Sequence, residues 1–331
     1  MDELKVAVLG LGLGSQRALG YLQNPNVRLC AVCDIDAQEV DRFLAEHPEI
    51  LGYNDYKTML RREKPDIVNI STPDWMHLDH SMIAMKYGCH VLVEKPMVTS
   101  LADVEKLIKG VEKCGVKLMV GQNYRRTAMG VLAKQLMANR TLGTIFHANA
   151  ESFQNRFFQF TKSPWYMSRE HPRAALLGTG IHGVDMLRWL LGEVEEVFAY
   201  GNNMIYEDFP HDDFITAVYK FKSGAIGRVD VSYACTIPRG AERLCLRLYG
   251  SEGTLENDRF FLVGSESERW EGQTMPPMKD PFWQEIDYFV KCIQMDQTPE
   301  IDVREGARNV AACIAGVEAS ETGKPVVPER F

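Results

Sequence analysis

Lys5-Val6-Ala7-Val8-Leu9-Gly10-Leu11-Gly12-Leu13-Gly14-Ser15 is an apolar run that breaks into a glycine-rich turn. The run is apolar on both faces, as a strand inside a parallel sheet must be. Gly10 permits a tight turn, and Gly12 leaves room for a pyrophosphate to approach the backbone. A helix starting near Gly14 then offers free N–H groups and a positive dipole end to the phosphates. Ser15 stands where a third glycine is usual, and a serine is small enough for the same close packing. Leu13, Gly14 and Ser15 are thus expected against the cofactor with Gly10 and Gly12. An acid follows at the end of the second apolar run, Asp34, with Ile35 beside it. A carboxylate there accepts hydrogen bonds from ribose hydroxyls and repels a 2′-phosphate. The expected cofactor is therefore NAD rather than NADP.

The pattern extends outward in both directions. Apolar runs at 5–10, 27–34, 66–71, 90–95 and 117–121 alternate with helical stretches, which predicts a doubly wound α/β domain over 1–123. Asp36 and Ser100 are expected helix caps, with Asp103 placed like a capping-box acid. From 124 to 331 the character changes. After a helix near 128–138, strands are expected at 143–155, 194–202, 213–222, 225–235 and 242–249. Lys222-Ser223-Gly224 joins two of them as a hairpin. One helix interrupts at roughly 180–191. Two close the chain, one starting at Asp280-Pro281 and one over 303–322, and these helices are expected to reach back towards the first domain. The second domain is read as α+β with an open-faced, largely antiparallel sheet.

Bulk properties exclude several classes. The chain has 331 residues and a net charge of -8 without a basic tract, which argues against a nucleic-acid partner. No apolar run approaches the roughly 20 residues that span a bilayer. The start, MDELKVAVLG, lacks a basic leader, and a cytoplasmic address is expected. Cys30, Cys89, Cys245 and Cys313 sit in apolar surroundings and read as small core residues. Cys30 and Cys33 lie on a strand and not at a helix start, so no metal is expected.

The fourth strand ends in Glu94-Lys95-Pro96, where a lysine points into the ligand crevice of such a sheet. Ser71-Thr72-Pro73 with His77, Gly121-Gln122-Asn123-Tyr124-Arg125 and Gly180-Ile181-His182-Gly183-Val184-Asp185 complete a set that resembles the Gfo/Idh/MocA oxidoreductases. That family includes inositol dehydrogenases and glucose–fructose oxidoreductase, and the similarity runs over nearly the whole chain. The resemblance implies that Thr72, Pro73 and His77 line the cofactor and that Glu94 lies near the nicotinamide ribose. Lys95, also against the cofactor and joined to Pro96 by a cis bond, would act at the reacting oxygen with His182. Tyr124 and the loop 154–173 would face the substrate through Arg156, Trp165, Tyr166 and Arg169, with Asp185 nearby. It also implies a homodimer or homotetramer built through the second sheet.

These residue types suit hydride transfer. A hydride leaves carbon only as the hydroxyl loses its proton. A cationic lysine stabilises the developing alkoxide, and an imidazole, with a reference pKa near ~6.5, relays the proton. The expected activity is NAD-dependent oxidation or reduction of a CH–OH group of a sugar, glycoside or cyclic polyol. Many relatives carry an aspartate four residues before the histidine, where this chain has Gly178. That departure keeps open a glycosidase or lyase working through transient C3 oxidation; a sensor that keeps only the cofactor site is a third class, against which the retention of Lys95 and His182 argues.

Overall fold

In the first unit, six short strands make a wholly parallel sheet in the order β3-β2-β1-β4-β5-β6. A computed structural model describes residues 3–238, 241, 244–267, 269–272 and 278–331. The strands are β1 (Leu4–Leu9), β2 (Val27–Cys33), β3 (Leu51–Tyr53), β4 (Ile67–Ile70), β5 (His90–Glu94) and β6 (Leu118–Gly121). Helices α1 (Gly14–Leu22), α2 (Ala37–Glu46), α3 (Tyr56–Glu63), α4 (His77–Lys86) and α5 (Leu101–Cys114) alternate with them. Val6, Ala7, Val8, Ile67, Val68, Ile70, Val91 and Val93 are all fully buried, because helices cover both faces of the sheet. The strand that periodicity did not predict, β3, has three residues with Leu51 and Gly52 exposed at the sheet edge. Asp36 caps α2 through Gln38 N–H and Ser100 caps α5 through Asp103 N–H. The carboxylate of Asp103 takes Lys106 instead of closing a capping box, since a lysine one turn on reaches it.

The second unit carries an eight-stranded mixed sheet in the order β14-β13-β12-β11-β7-β10-β9-β8. Helix α6 (Ala128–Ala138) precedes β7 (Ile145–Phe153), short helix α7 (Phe157–Lys162) and α8 (Ile181–Leu191). There follow β8 (Val194–Asn202), β9 (Phe214–Phe221), β10 (Ile226–Ser232), β11 (Leu244–Gly250), β12 (Gly253–Glu256), β13 (Arg259–Leu262) and β14 (Glu271–Gly272). All pairs are antiparallel except β10 with β7. The hairpin at 222–224 joins β9 to β10 as expected. Residues 242 and 243 of the strand expected at 242–249 lie outside the described residues. Cys245 alternates outward on β11 and is only half-buried, unlike Cys30, Cys89 and Cys313. Helices α9 (Pro281–Gln294) and α10 (Val303–Thr322) close the chain. Lys279–Ala307 groups with the residues up to Asn123, and Arg308–Phe331 with Tyr124–Met278. Among the described residues no helix is long and apolar enough to cross a membrane.

Asp185, read from the sequence as a substrate contact, belongs instead to the interior of the second unit. It is 1% exposed. Its carboxylate takes a fork of two hydrogen bonds from Arg125, Nε at 2.8 Å and Nη2 at 2.6 Å. Asn309 Nδ2 donates a third at 2.6 Å, and Asn309 in turn accepts from Arg188. The pair joins the start of α6 to α8 and α10. Removing one partner of such a pair strands a buried charge at a cost of ~3–5 kcal/mol. Asp185→Ala should therefore lower the melting temperature by on the order of 10 °C. Thermal unfolding followed by circular dichroism checks it; an unchanged midpoint would show that the pair does not hold these helices.

Candidate functional site

The glycine turn is held in place before any ligand arrives. Gly10 sits at φ +87°, and a Cβ there would stand 2.7 Å from Ser71 O, so only glycine fits. A Cβ on Gly12 would meet nothing within 4 Å, so the backbone there faces open space. Ser15 Oγ donates to Gly12 O at 3.0 Å and ties the turn to α1. No side chain caps α1 at Leu13, which leaves the first-turn N–H groups for an anion. Asp34 does two things at once. Its Oδ2 accepts Leu11 N–H at 2.6 Å and its Oδ1 accepts Asp36 N–H at 2.9 Å, so the carboxylate locks the turn to the end of β2. Beside it, Ile35 is 92% exposed, an apolar face with no protein neighbour over it. An uncapped helix start, open space at Gly12, a fixed carboxylate and an exposed apolar side chain fit a dinucleotide.

One imidazole sits between the turns after β4 and β5 and, when neutral, donates to one of two carbonyls. His77 faces Pro96 O through Nδ1 and Thr72 O through Nε2, both at 2.8 Å. Burial holds His77 below the ordinary imidazole value, against the pull of the two carbonyls and of Asp74. Thr72 Oγ1 is 3.0 Å from His80 Nδ1. The Lys95–Pro96 bond is cis and Lys95 is half-buried at the end of β5. Glu94 is fixed by a residue that motif reading missed. Arg17, 1% exposed on α1, gives Nε to Glu94 Oε1 at 2.7 Å and Nη1 to Glu285 on α9. The ring of Phe282 covers its guanidinium at 4.3 Å. Burial works against the Arg17 charge, and the two carboxylates overcome it and hold the group above its ordinary value. Burial also raises Glu285. The signal was present: Arg17 falls on the face of α1 that buries Gly14, Ala18 and Tyr21.

In the second unit, helix α8 is entered through a single π-helical turn, Leu176–Gly180. His182 follows on the first turn of α8, half-buried, with the Tyr124 ring 4.8 Å away. Burial pushes the Tyr124 phenol up, so that ring stays neutral. Gly178 has neighbours that the sequence did not disclose. A Cβ on Gly178 would lie 2.5 Å from Tyr233 Oη and 2.8 Å from Arg173 Nε. Tyr233 Oη bonds Thr179 Oγ1 at 3.0 Å. Trp165 and Tyr166 stack at 3.7 Å. Arg173 lies over both rings, 5.2 and 4.7 Å away, and Arg156 lies 5.7 Å from Tyr166. Arg169, expected at the substrate, is 72% exposed and reaches only towards Asp208, because the loop turns it outward. Arg173, four residues on, stands by the rings in its place. A cavity of about 280 Å³ opens elsewhere in this unit, among Phe209, Pro210, Ile215 and Val317, and contains none of the expected site residues.

Comparison with known proteins agrees with this fold. Residues 4–122 match the oxidoreductase family with an NAD-binding Rossmann fold, and residues 131–256 match the GFO/IDH/MocA C-terminal domain. The chain is 27% identical to myo-inositol 2-dehydrogenase of Thermotoga maritima, covering 92% of each protein. It is 25% identical to D-apiose dehydrogenase of Paraburkholderia graminis, over 98% of this chain and 90% of that one. Levoglucosan dehydrogenase, solved with NADH and levoglucosan, shares the fold over the full length of both chains, with a TM-score of 0.89 at 18% identity. On these two domain matches, the chain belongs to the Gfo/Idh/MocA family of NAD-binding oxidoreductases.

Proposed function

We propose that the protein oxidises a secondary CH–OH group of a sugar or cyclic polyol, with NAD as the preferred cofactor. The observation that carries this reading is the fixed Asp34 beside an open glycine turn, together with Lys95 and His182 at the ends of β5 and the π-helical turn. Relatives named for inositol, apiose and glucoside oxidation support the substrate class. When bound, the nicotinamide supplies the hydride acceptor. Lys95 is assigned to the reacting oxygen, where its ammonium group stabilises charge as the hydroxyl proton departs. His182 is assigned as the base that takes that proton, with Tyr124 excluding water from one side of the imidazole. Gly10, Gly12, Leu13, Gly14 and Ser15 are assigned to the pyrophosphate. Ile35 is assigned to the adenine, and Thr72, Pro73, His77 and Glu94 to the nicotinamide half. Tyr124, Arg156, Trp165 and Tyr166 are assigned to substrate.

Two further assignments rest on lesser observations. Phe146, Tyr200, Val218 and Ile226, on neighbouring strands of the second sheet, are 59%, 68%, 40% and 37% exposed, which supports a homodimer or homotetramer through that sheet. All eight cysteines are free thiols, which supports a reducing, cytoplasmic setting.

Three outcomes test the assignments. Lys95→Met should lower kcat by about 10²–10³ or more while NAD affinity stays within a few-fold; near-normal turnover removes the lysine from the chemistry. His182→Ala should lower kcat and erase the limb of the pH–rate profile that reports the base. A profile of unchanged shape with only a lower melting temperature would make the imidazole a packing group. Cofactor choice tests Asp34. Two unit charges about 4 Å apart repel by roughly 4 kcal/mol at an effective dielectric near 20. Allowing half of that, NAD should exceed NADP at least about tenfold in kcat/KM. Asp34→Asn keeps an acceptor for Leu11 N–H and removes the charge, so the ratio should narrow. An enzyme that prefers NADP, or a variant with the wild-type ratio, would contradict this.

A further inference from the structure

Thr72 stands where the order of the first sheet reverses. The order β3-β2-β1-β4-β5-β6 turns back between β1 and β4, and ligands of such sheets sit in the crevice beyond the carboxyl ends of those two strands. Thr72 follows β4 at that point. Ser71 N–H donates to Leu9 O at 2.8 Å, and a Cβ on Gly10 would lie 2.9 Å from the Thr72 nitrogen. Two imidazoles from one face of α4 lie against Thr72. His77 Nε2 is 2.8 Å from its carbonyl, and His80 Nδ1, three residues on, is 3.0 Å from its hydroxyl. His80 is itself held. The Tyr56 ring of α3 meets the imidazole edge-on at 5.5 Å, and Tyr56 Oη donates to the His80 carbonyl at 3.2 Å.

We infer that, with Thr72 at the cofactor as proposed above, His80 is a positioning residue that turns the Thr72 hydroxyl into a fixed acceptor for the dinucleotide. A neutral imidazole has one N–H and one lone pair, and a hydroxyl has one hydrogen and two lone pairs. With the ring hydrogen on Nε2, Nδ1 accepts the Thr72 hydrogen. Thr72 Oγ1 then presents lone pairs alone, which suit a ribose hydroxyl or the carboxamide N–H of the nicotinamide. Protonation of His80 reverses the bond. Nδ1–H then donates to Oγ1, and the released hydroxyl hydrogen points where a ligand donor was to be received. Among the described residues, His77 and Asp79 on α4 and Tyr56 on α3 are the titratable groups that face the ring. Burial, and then the neighbouring His77, hold His80 below the ordinary imidazole value against the pull of Asp79, so the accepting form prevails at neutral pH. His80 acts only through Thr72 in this account.

Binding of NADH to the full chain, followed by nicotinamide fluorescence, tests this without any substrate. Thr72→Val and His80→Leu should each weaken NADH about 3- to 10-fold, the worth of one oriented hydrogen bond. The double variant should bind no more weakly than Thr72→Val alone, because both changes remove the same bond. His80→Asn offers an acceptor near the Nδ1 position that does not titrate. It should restore affinity at neutral pH and lose the weakening that wild type shows as pH falls below about 6.5. Nitrogen-15 NMR of labelled histidines, with the His80 signals identified by their loss in His80→Asn, should show the Nε2–H tautomer in the free protein. Melting temperatures measured alongside separate these effects from misfolding. Wild-type affinity in His80→Leu, an effect of His80→Leu that persists in full beside Thr72→Val, a pH profile of His80→Asn identical to wild type, or an Nδ1–H tautomer would each overturn the inference and leave Thr72 at the cofactor. Should His80→Leu not fold, the pH profile and the tautomer decide alone. If Thr72→Val binds NADH as wild type does, the assignment of Thr72 fails and the inference falls with it.

Discussion

Arg17 is the interaction on which the first unit turns. Its guanidinium is buried beneath Phe282 and is held there by two carboxylates from distant parts of the chain, Glu94 and Glu285. A buried charge survives only when paired. So α1, the end of β5 and α9 must come to one point or not fold as they do. The consequence for the site is direct. Glu94 is the residue before Lys95, and α1 is the helix whose uncapped start faces the open glycine turn. One ion network therefore sets both the glycine turn and the lysine turn at the same edge of the sheet. His77 adds a second contact between these turns, its ring lying between the carbonyls of Thr72 and Pro96 and donating to one of them. Arg17 and Glu285 bear on the first unit's site by fixing Glu94 and α1.

The second unit uses the same economy with a different outcome. Arg125 and Asp185, paired inside with Asn309, anchor α8 against α6 and α10. The irregular turn lies just before that anchored stretch of α8. The π-helical turn Leu176–Gly180 adds the extra residue that sets Gly178 under Arg173 and Thr179 under Tyr233. Such turns recur at functional sites because they break the regular ladder without ending the helix. On one helix, the buried pair at Asp185 and the irregular entry turn at Leu176–Gly180 flank His182.

Much of this was legible in the sequence, for physical reasons that also mark where reading stopped. Strands apolar on both faces, such as 5–10 and 90–95, announce a covered parallel sheet. The hairpin at 222–224 and the caps Asp36, Ser100 and Asp280 carry local chemistry that needs no tertiary context. Short strands were invisible: β3, β12, β13 and β14 have two to four residues each, too few to show a period. Charges were misplaced where burial decided the matter. Asp185 carries a motif position but lies 1% exposed, paired to a residue 60 positions away. Arg169 and Arg173 are indistinguishable in the sequence, and only the course of the loop sends one to solvent and the other to Trp165 and Tyr166. Nothing local in Leu176-Leu177-Gly178-Thr179-Gly180 distinguishes a π turn from an α-helix start.

The central claim is that this chain completes a net hydride transfer from a carbon bearing a hydroxyl. A glycosidase or lyase working by transient oxidation would use the same glycine turn, lysine and histidine. The two differ in stoichiometry. The most direct measurement is the ratio of NADH formed, by absorbance, to product formed, by chromatography, across sugars, glycosides, polyols and their acids under initial-rate conditions. The account predicts equimolar NADH and oxidised product with the carbon skeleton intact. Cleaved or dehydrated product without net NADH would contradict it.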